Sequence, residues 1–274
     1  MRVSLLLIGL CACSDYQISG PEKAEPGNHS DDGEDDITGG NDDTAQDDTG
    51  DPAVDIPVET AAAPTYVNTA NTLYAWDPDG ELEVVADLWA AVGTVPNITD
   101  IAIDLDGHIY GCSSSALFRI HAETGETIQI AELDVYLAGL TFVSDGRLVG
   151  AGEGVWFIDT TTGALTDLVR EGRYETSGDI IGLPDGLLYW TVWGEDDDAD
   201  QLIVIDPDTG QTMHRGDTGV PRIFGLGYAG GTLYGFTDTA TVIAIDPDFG
   251  GGTGERPLGT DGGWWGATTN PVRW

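Results

Sequence analysis

The stretch that decides the fold is L-I-V-I-D-P-D-T-G at Leu202–Gly210, where an apolar run leads into Asp-Pro and ends at a glycine. Proline presets φ at the second turn position, and glycine takes the left-handed conformation before the next strand. Close variants of this phrase occur at 73–80, 117–125, 155–163 and 242–250. Five copies of one strand-turn unit predict an all-β repeat fold.

A second repeated pattern gives the period of the repeat. Asp-Gly or Gly-Gly stands between two apolar runs, and Asp-Gly supplies the positive φ values of a tight hairpin. The turn glycines are Gly107, Gly146, Gly186 and Gly231, which are 39, 40 and 45 residues apart. This spacing is typical of the four-stranded blades of a β-propeller.

The two ends of the repeat region complement each other. Tyr66–Leu88 offers three strands of a blade, and Gly263–Ala267 resembles the missing innermost strand. Pairing the two ends would close the ring and remove two exposed sheet edges. We therefore predict a five-bladed β-propeller, with six blades as the alternative. Besides the composite blade, the predicted blades span about 97–134, 135–172, 173–217 and 218–260.

The repeats also resemble those of known propellers. The patterns x-x-x-x-D-G-x-[LI]-Y and I-D-P-x-T-G are similar to repeats of the NHL, YVTN and quinoprotein-like propellers, over residues 65–274. The whole chain resembles the acidic-tethered propeller lipoproteins of myxobacteria and their relatives. The resemblance implies the fold and leaves the chemistry open, because propellers host both binding modules and enzymes.

The N-terminus has the features of a secretion signal. Arg2 precedes the apolar run Val3–Leu10, which is too short to span a bilayer. L-C-A-C-S at 10–14 resembles the lipobox of bacterial lipoproteins, although Cys11 stands where Ser, Ala or Val is usual. This resemblance implies a signal peptide at 1–12, a lipid (palmitate) on Cys13, and an outer-membrane address in the cell envelope. A secretory signal without a lipid is the alternative.

The region between the signal and the repeats is acidic and lacks apolar periodicity. The whole chain has 48 acidic and 10 basic residues, a formal net charge of −38. This charge argues against electrostatic binding to nucleic acid or to an anionic membrane. Because 13–63 offers little apolar area to bury, we expect a disordered tether there, followed by the propeller domain at 64–274.

The innermost strands of a propeller line its central channel, so residues at equivalent positions on these strands lie around one axis. Alignment on the Asp-Gly turn places five residues at equivalent positions: Asp100, Gly139, Asp179, Phe224 and Trp265. Two carboxylates facing one axis could hold Ca²⁺ or act as acid and base. The interpretation that we favour is that they accept backbone or loop hydrogen bonds.

Aromatic residues near predicted loops suggest a platform for a sugar or a peptide. They are Tyr136, Tyr174, Trp193 and Trp264, with Arg173 and Arg222 close in sequence. Packing between blades is the interpretation that we favour for these side chains, less so for Trp193, which lies beside a charged loop. The combined candidates for binding at the channel mouth are Asp100, Asp179, Arg222, Phe224, Trp264 and Trp265.

A charged loop, G-E-D-D-D-A-D at 194–200, offers a second possible calcium site. Asp196, Asp198 and Asp200 are alternate acids, the spacing that calcium loops use. A solvated hairpin tip explains the same pattern.

Motifs of the common enzyme classes are absent from the sequence, including G-x-S-x-G, H-E-x-x-H and the P-loop. We therefore expect a monomeric, envelope-anchored module that binds a protein or glycan without catalysis. Its predicted partners are the membrane, through the N-terminal lipid, and an envelope protein or glycan, but not nucleic acid. The alternative function is a calcium-dependent hydrolase or lactonase with a site at the channel mouth. A purely structural envelope protein is a third interpretation.

Overall fold

The structure is a computed structural model that describes residues 60–93, 97–194, 198–259 and 262–274. The predicted signal peptide, Cys13 and nearly all of the predicted tether lie outside these residues. The described part is built from twenty strands, β1 to β20 in chain order, and one 3-10 helix at Pro271–Arg273. No helix in that part is both long and apolar enough to cross a membrane.

The strands form five antiparallel sheets of four, and each sheet is one blade. The first blade combines both ends of the domain: β1 Thr65–Asn68, β2 Thr72–Trp76, β3 Leu82–Asp87 and β20 Gly266–Thr269. The second is β4 Asp100–Ile103, β5 Ile109–Cys112, β6 Ala116–Ile120 and β7 Thr127–Glu132. The third is β8 Leu137–Phe142, β9 Leu148–Gly152, β10 Val155–Ile158 and β11 Leu165–Val169.

The last two blades follow the same order along the chain. The fourth is β12 Thr176–Gly182, β13 Leu188–Trp193, β14 Asp200–Ile205 and β15 Thr212–Asp217. The fifth is β16 Ile223–Ala229, β17 Thr232–Thr237, β18 Thr241–Ile245 and β19 Gly252–Pro257. The prediction of a five-bladed propeller is confirmed.

The ring is closed by pairing β20 with β1, as predicted. The register runs from Thr65 opposite Thr269 to Asn68 opposite Gly266. The closing strand was expected at 263–267 and lies at 266–269. Trp264, just before the strand, is fully buried against Tyr74 and Phe236.

The turns have the chemistry that the sequence pattern requires. The hairpin glycines Gly107 and Gly146 have φ of 88° and 91°, in the left-handed region that glycine enters without strain. Gly210, at the end of the segment that decides the fold, has φ of 68°. In the same turn, Asp206 Oδ1 accepts the N–H of Asp208 at 2.8 Å. The conformation of each turn is therefore determined by the residues of the turn itself.

Burial decreases from the centre of the ring outward. All four residues of β4 are buried, whereas only Thr127 is buried in β7, the outermost strand of the same blade. The apolar clusters lie in the seams between blades; one contains Trp76, Phe236 and Trp264 from the first and fifth blades. The innermost strands β20, β4, β8, β12 and β16 are mostly buried, and they carry the candidate site.

Candidate functional site at the channel mouth

A cavity of about 310 Å³, which we call the mouth cavity, opens where the five innermost strands begin. Each innermost strand contributes one residue from its N-terminal end or from the position just before it. Two further residues, from β12 and the approach to β8, complete the wall. The lining residues are Thr99, Tyr136, Ala138, Ser177, Gly178, Phe224 and Trp265.

Three aromatic side chains line the mouth cavity. Tyr136 and Trp265 are 54% and 41% exposed, and Phe224 is half-buried. Burial raises the pKa of Tyr136, so its phenol stays neutral at physiological pH. Phe224 and Trp265 thus lie at the channel mouth, and their role in binding remains a prediction. The sequence identified Tyr136 as an aromatic residue near a loop. Its position beside the channel depends on contacts between blades, which the sequence does not show.

Besides the phenol of Tyr136 and the indole of Trp265, the mouth cavity is lined by two hydroxyl groups, those of Thr99 and Ser177. Thr99 Oγ1 donates to the carbonyl of Leu137 at 3.0 Å, and Ser177 Oγ donates to Asp200 Oδ2 at 2.7 Å. Each hydroxyl has one hydrogen, so it retains acceptor capacity toward a ligand. The described residues that line the cavity include no charged side chain. This wall suits an uncharged, flat group that carries hydrogen-bond donors.

One residue beyond the cavity wall, the innermost strands form a second layer around the axis. We call its members the axial ring: Asp100, Gly139, Asp179, Gly225 and Gly266. Asp100 and Asp179 are both fully buried. The members face the backbone of the neighbouring blade. The two aspartates form hydrogen bonds to it, and each of the three glycines lies too close to it for a side chain.

Backbone N–H groups from the innermost strands of all five blades converge on the two carboxyl groups. They belong to Ile101 and Leu140 at Asp100, and to Ile180, Leu226 and Ala267 at Asp179. The N···O distances for Leu140, Ile180 and Leu226 are each 2.5 Å. An innermost strand has no partner strand on its channel side, so these amides would otherwise be unpaired in a buried layer. The carboxyl groups therefore satisfy the inner edges of the blades.

The three glycines of the axial ring leave room for this arrangement. A Cβ on Gly139 would lie 2.8 Å from the amide nitrogen of Ile180, and one on Gly225 would lie 2.9 Å from that of Ala267. A Cβ on Gly266 would overlap Asp100 Oδ1. Side chains larger than glycine would therefore not fit at these three positions.

This geometry corrects the alignment made from sequence. Phe224 and Trp265 were placed level with Asp100 and Asp179, but Gly225 and Gly266 occupy those positions. In the fifth blade only two residues separate β16 from β17, whereas five separate β4 from β5. Because this turn is shorter, counting back from Gly231 by the same number of residues reaches Phe224, one residue before the axial position of Gly225.

Burial controls the protonation of the axial acids. Burial raises the pKa of Asp100 well above its ordinary value, and the negative charge of Asp179 raises it further. Burial also raises the pKa of Asp179, to about 8, against the lowering effect of its hydrogen bonds. With its pKa raised to about 8, the carboxyl group of Asp179 is mostly protonated at neutral pH. The arrangement of the two carboxyl groups suits structure better than transfer of a proton to a bound substrate.

Cys112 lies beside this layer and is a free, buried thiol. Its Sγ is 3.3 Å from Thr99 Oγ1. Burial raises the pKa of the thiol to about 12, so the nucleophilic thiolate is not populated at neutral pH. Cys112 is thus a small buried residue rather than a nucleophile.

Arg222 lines a different opening, which we call the seam hollow, between the fourth and fifth blades. The seam hollow has a volume of about 560 Å³ and is lined by Glu175, Trp193, Pro221 and Arg222. Arg222 has a φ of 57°, an uncommon value for a residue with a side chain. Its Nε contacts Asp238 Oδ2 at 3.0 Å. The structure therefore separates Arg222 from the mouth cavity, to which the sequence assigned it.

Two of the candidate aromatic residues pack inside the protein. Trp264 is fully buried and contacts Tyr74 edge to face, with ring centroids 5.3 Å apart. Tyr174 packs edge to face on Trp190 at 5.8 Å. The expectation that Trp264 lies at the channel mouth is thus wrong, because this side chain fills the seam next to the closing strand.

The acidic loop does not present its three candidate ligands together. Asp196 lies outside the described residues, and Asp198 is exposed. Asp200 is fully buried at the start of β14, and its carboxylate accepts the N–H groups of Arg222 at 3.0 Å and Ile223 at 2.7 Å. The assignment of Asp200 to a solvated calcium loop is corrected by these bonds, which tie the fourth blade to the fifth.

Sequence reasoning passed over one cluster of possible metal ligands, Asp104, Asp106 and His108. Their ligand atoms lie within 4.8 Å of one another, the single such group of three in the described ranges. Asp104 Oδ1 accepts the N–H groups of Asp106 and His108, and Asp104 Oδ2 lies 3.0 Å from His108 Nδ1. The sequence feature that indicates this cluster is D-L-D-G-H at 104–108, in which possible ligands alternate with other residues. The hydrogen bonds of the hairpin turn account for this cluster.

The fold resembles that of a solved structure at low sequence identity. No family model and no curated protein matches the chain. A chain of a nidogen/laminin complex is 15% identical, with a TM-score of 0.55 over 77% of this chain and 98% of that chain. A gluconolactonase from Xanthomonas campestris is 13% identical, with a TM-score of 0.42 over 75% of this chain and 88% of its own.

A third solved structure, virginiamycin B lyase from Staphylococcus aureus, is 14% identical with a TM-score of 0.45 over 74% of this chain and 69% of that one. At these identities, likeness to a solved structure concerns the fold alone. The strands of the described residues make the chain a five-bladed β-propeller protein, and its own site is the basis for its function.

Proposed function

We propose that this protein is a non-enzymatic binding module of the bacterial cell envelope, which takes its ligand in the mouth cavity. The observation that carries the proposal is the pairing of three aromatic side chains with two hydroxyls around a concave opening of about 310 Å³. Aromatic faces with a few polar groups bind flat rings, such as a sugar or the side chain of Phe, Tyr or Trp.

The hydrogen bonds of the axial ring support binding over hydrolysis. A calcium-dependent hydrolase or lactonase at this place would need Asp100 and Asp179 open to a substrate or a metal ion. Both are fully buried, and backbone N–H groups occupy oxygens of both carboxylates. The residues that remain open at the mouth are suited to contact a ligand rather than to transform it.

The proposal predicts that Trp265→Ala weakens ligand binding about tenfold or more, because the stacking face of the cavity is lost. A glycan, peptidoglycan-fragment and peptide array would identify the ligand with the full-length protein, and calorimetry would then compare the variants. Trp89→Ala is the matched control, since Trp89 is 43% exposed and lies outside the cavity. Equal affinity of both variants for every ligand identified on the array would contradict the proposal.

The same proposal places the propeller at the membrane through a lipid on Cys13. Expressed in a Gram-negative bacterium with labelled palmitate, the wild type and Cys11→Ser are expected to carry the label, and Cys13→Ser is expected to lose it. The reason is that only the lipidated cysteine becomes the acyl acceptor. Label on Cys13→Ser, or on none of the three proteins, would show that the lipobox assignment is wrong.

A further inference from the structure

We propose that the seam hollow is a second subsite, for a cation, and that the ligand is an extended peptide with an aromatic residue near a lysine or arginine. The inference rests on the proposed function of the mouth cavity and specifies the class of its ligand. It is carried by the position, the charges and the hydrogen bonds of the seam between the fourth and fifth blades.

The two openings follow each other along the same pair of strands. Glu175 lines the seam hollow and Ser177 lines the mouth cavity, two residues further along the chain. Arg222 and Phe224 repeat this relation on the fifth blade. Two residues of extended chain span about 7 Å, which is also the spacing of alternate side chains in an extended peptide. One short peptide can therefore reach both openings.

The charges of the seam hollow favour a cation. Glu175 is exposed and forms no ion pair with any described residue. The guanidinium of Arg222 is already paired with Asp238. Trp193 adds an aromatic ring, and cations bind favourably over such rings. The net charge of −38 attracts a basic partner from a distance.

Asp200 holds the two openings in a fixed relation. Its Oδ2 accepts from Ser177 Oγ, in the wall of the mouth cavity, and its Oδ1 accepts the N–H of Arg222, in the wall of the seam hollow. Arg222 keeps its left-handed backbone with the help of this bond and of the ion pair to Asp238. A groove preorganised in this way loses little entropy when a ligand binds.

Three capped tripeptides that differ only in their last residue test the inference: acetyl-Tyr-Gly-Lys-amide and its Gln and Glu counterparts. Titrated into the full-length protein at low salt, they are expected to bind in the order Lys, Gln, Glu, with about tenfold between the first and the last. Glu175→Gln is expected to remove most of the difference between Lys and Gln. Glu83→Gln, which removes an exposed charge on β3, is the control and should leave the order unchanged.

The outcomes separate this inference from the proposed function. Equal binding of the three peptides, or preference for Glu, overturns the cation subsite. If Trp265→Ala still weakens all three by the same factor in that case, the mouth cavity keeps its proposed role. Failure of every peptide to bind overturns the inference as well, and the array with its Trp265 variant then decides the proposed function alone.

Discussion

Replacing Asp179 with alanine is expected to lower the free energy of unfolding by about 3 kcal/mol or more at pH 6. The carboxyl group accepts the amides of Ile180 and Leu226, which would be left buried without a partner. Asp179→Asn keeps one carbonyl acceptor, so its free energy of unfolding should fall by less than that of Asp179→Ala. Asp167→Ala, at an exposed site on β11, is the control and should stay within about 0.5 kcal/mol of the wild type.

The dependence of stability on pH gives the same prediction a second readout. The pKa values of Asp100 and Asp179 are raised in the folded state, so the folded protein binds protons more tightly than the unfolded chain. The stability gained in this way is complete below the unfolded pKa of 3.8 and is lost as pH rises through about 8. The wild type should therefore be less stable at pH 9 than at pH 6, and Asp179→Asn should reduce this difference.

Urea unfolding of the wild type, Asp179→Ala, Asp179→Asn and Asp167→Ala at both pH values measures these effects together. A loss for Asp179→Ala no larger than for Asp167→Ala would show that the blades do not depend on this carboxyl group. A pH dependence that is unchanged in Asp179→Asn would show that another group causes it.

The second large effect is expected at Gly266, where alanine should destabilise the fold by more than about 3 kcal/mol. The new Cβ would overlap Asp100 Oδ1 and would lie 2.7 Å from Asp100 Cα and 2.8 Å from Asn68 Oδ1. Since Gly266 begins the strand that closes the ring, the damage should separate β20 from β1.

Thermal unfolding and limited proteolysis of the C-terminal strand would measure the effect of Gly266→Ala. Gly251→Ala is the matched control, because no atom lies within 4 Å of its added Cβ and its φ is not in the left-handed region. If the two variants melt at the same temperature and resist protease equally, then Gly266 and Asp100 are not in contact at the axis.

The fold was predictable because its signals are local. The turn glycines at 107, 146 and 186 fix the period, and each turn needs only its own residues to form. Closure by the two ends was also predictable, since Tyr66–Leu88 lacked an innermost strand and the C-terminal segment supplied one.

The site was less predictable because it depends on contacts between blades. Trp264 and Trp265 are adjacent in sequence, yet one is fully buried and the other is 41% exposed. Both residues lie just before β20, and Trp264 is buried because it packs on Phe236 of the fifth blade, a contact that the sequence does not show. Asp200 was wrongly predicted as a calcium ligand for a similar reason. It ends a charged loop in the sequence, but the N–H groups that its carboxylate accepts belong to another blade.

The central claim is that the buried axial acids, with raised pKa values, hold the blades together through backbone hydrogen bonds, beneath a cavity that binds the ligand. Carbon-13 NMR of the aspartate carboxyl groups, titrated with pH in the presence and absence of millimolar calcium, tests it most directly. We predict that Asp179 titrates near pH 8 and that calcium leaves its signal unchanged. Titration near the ordinary value of 3.8, or a shift of the Asp100 and Asp179 signals on addition of calcium, would contradict the account.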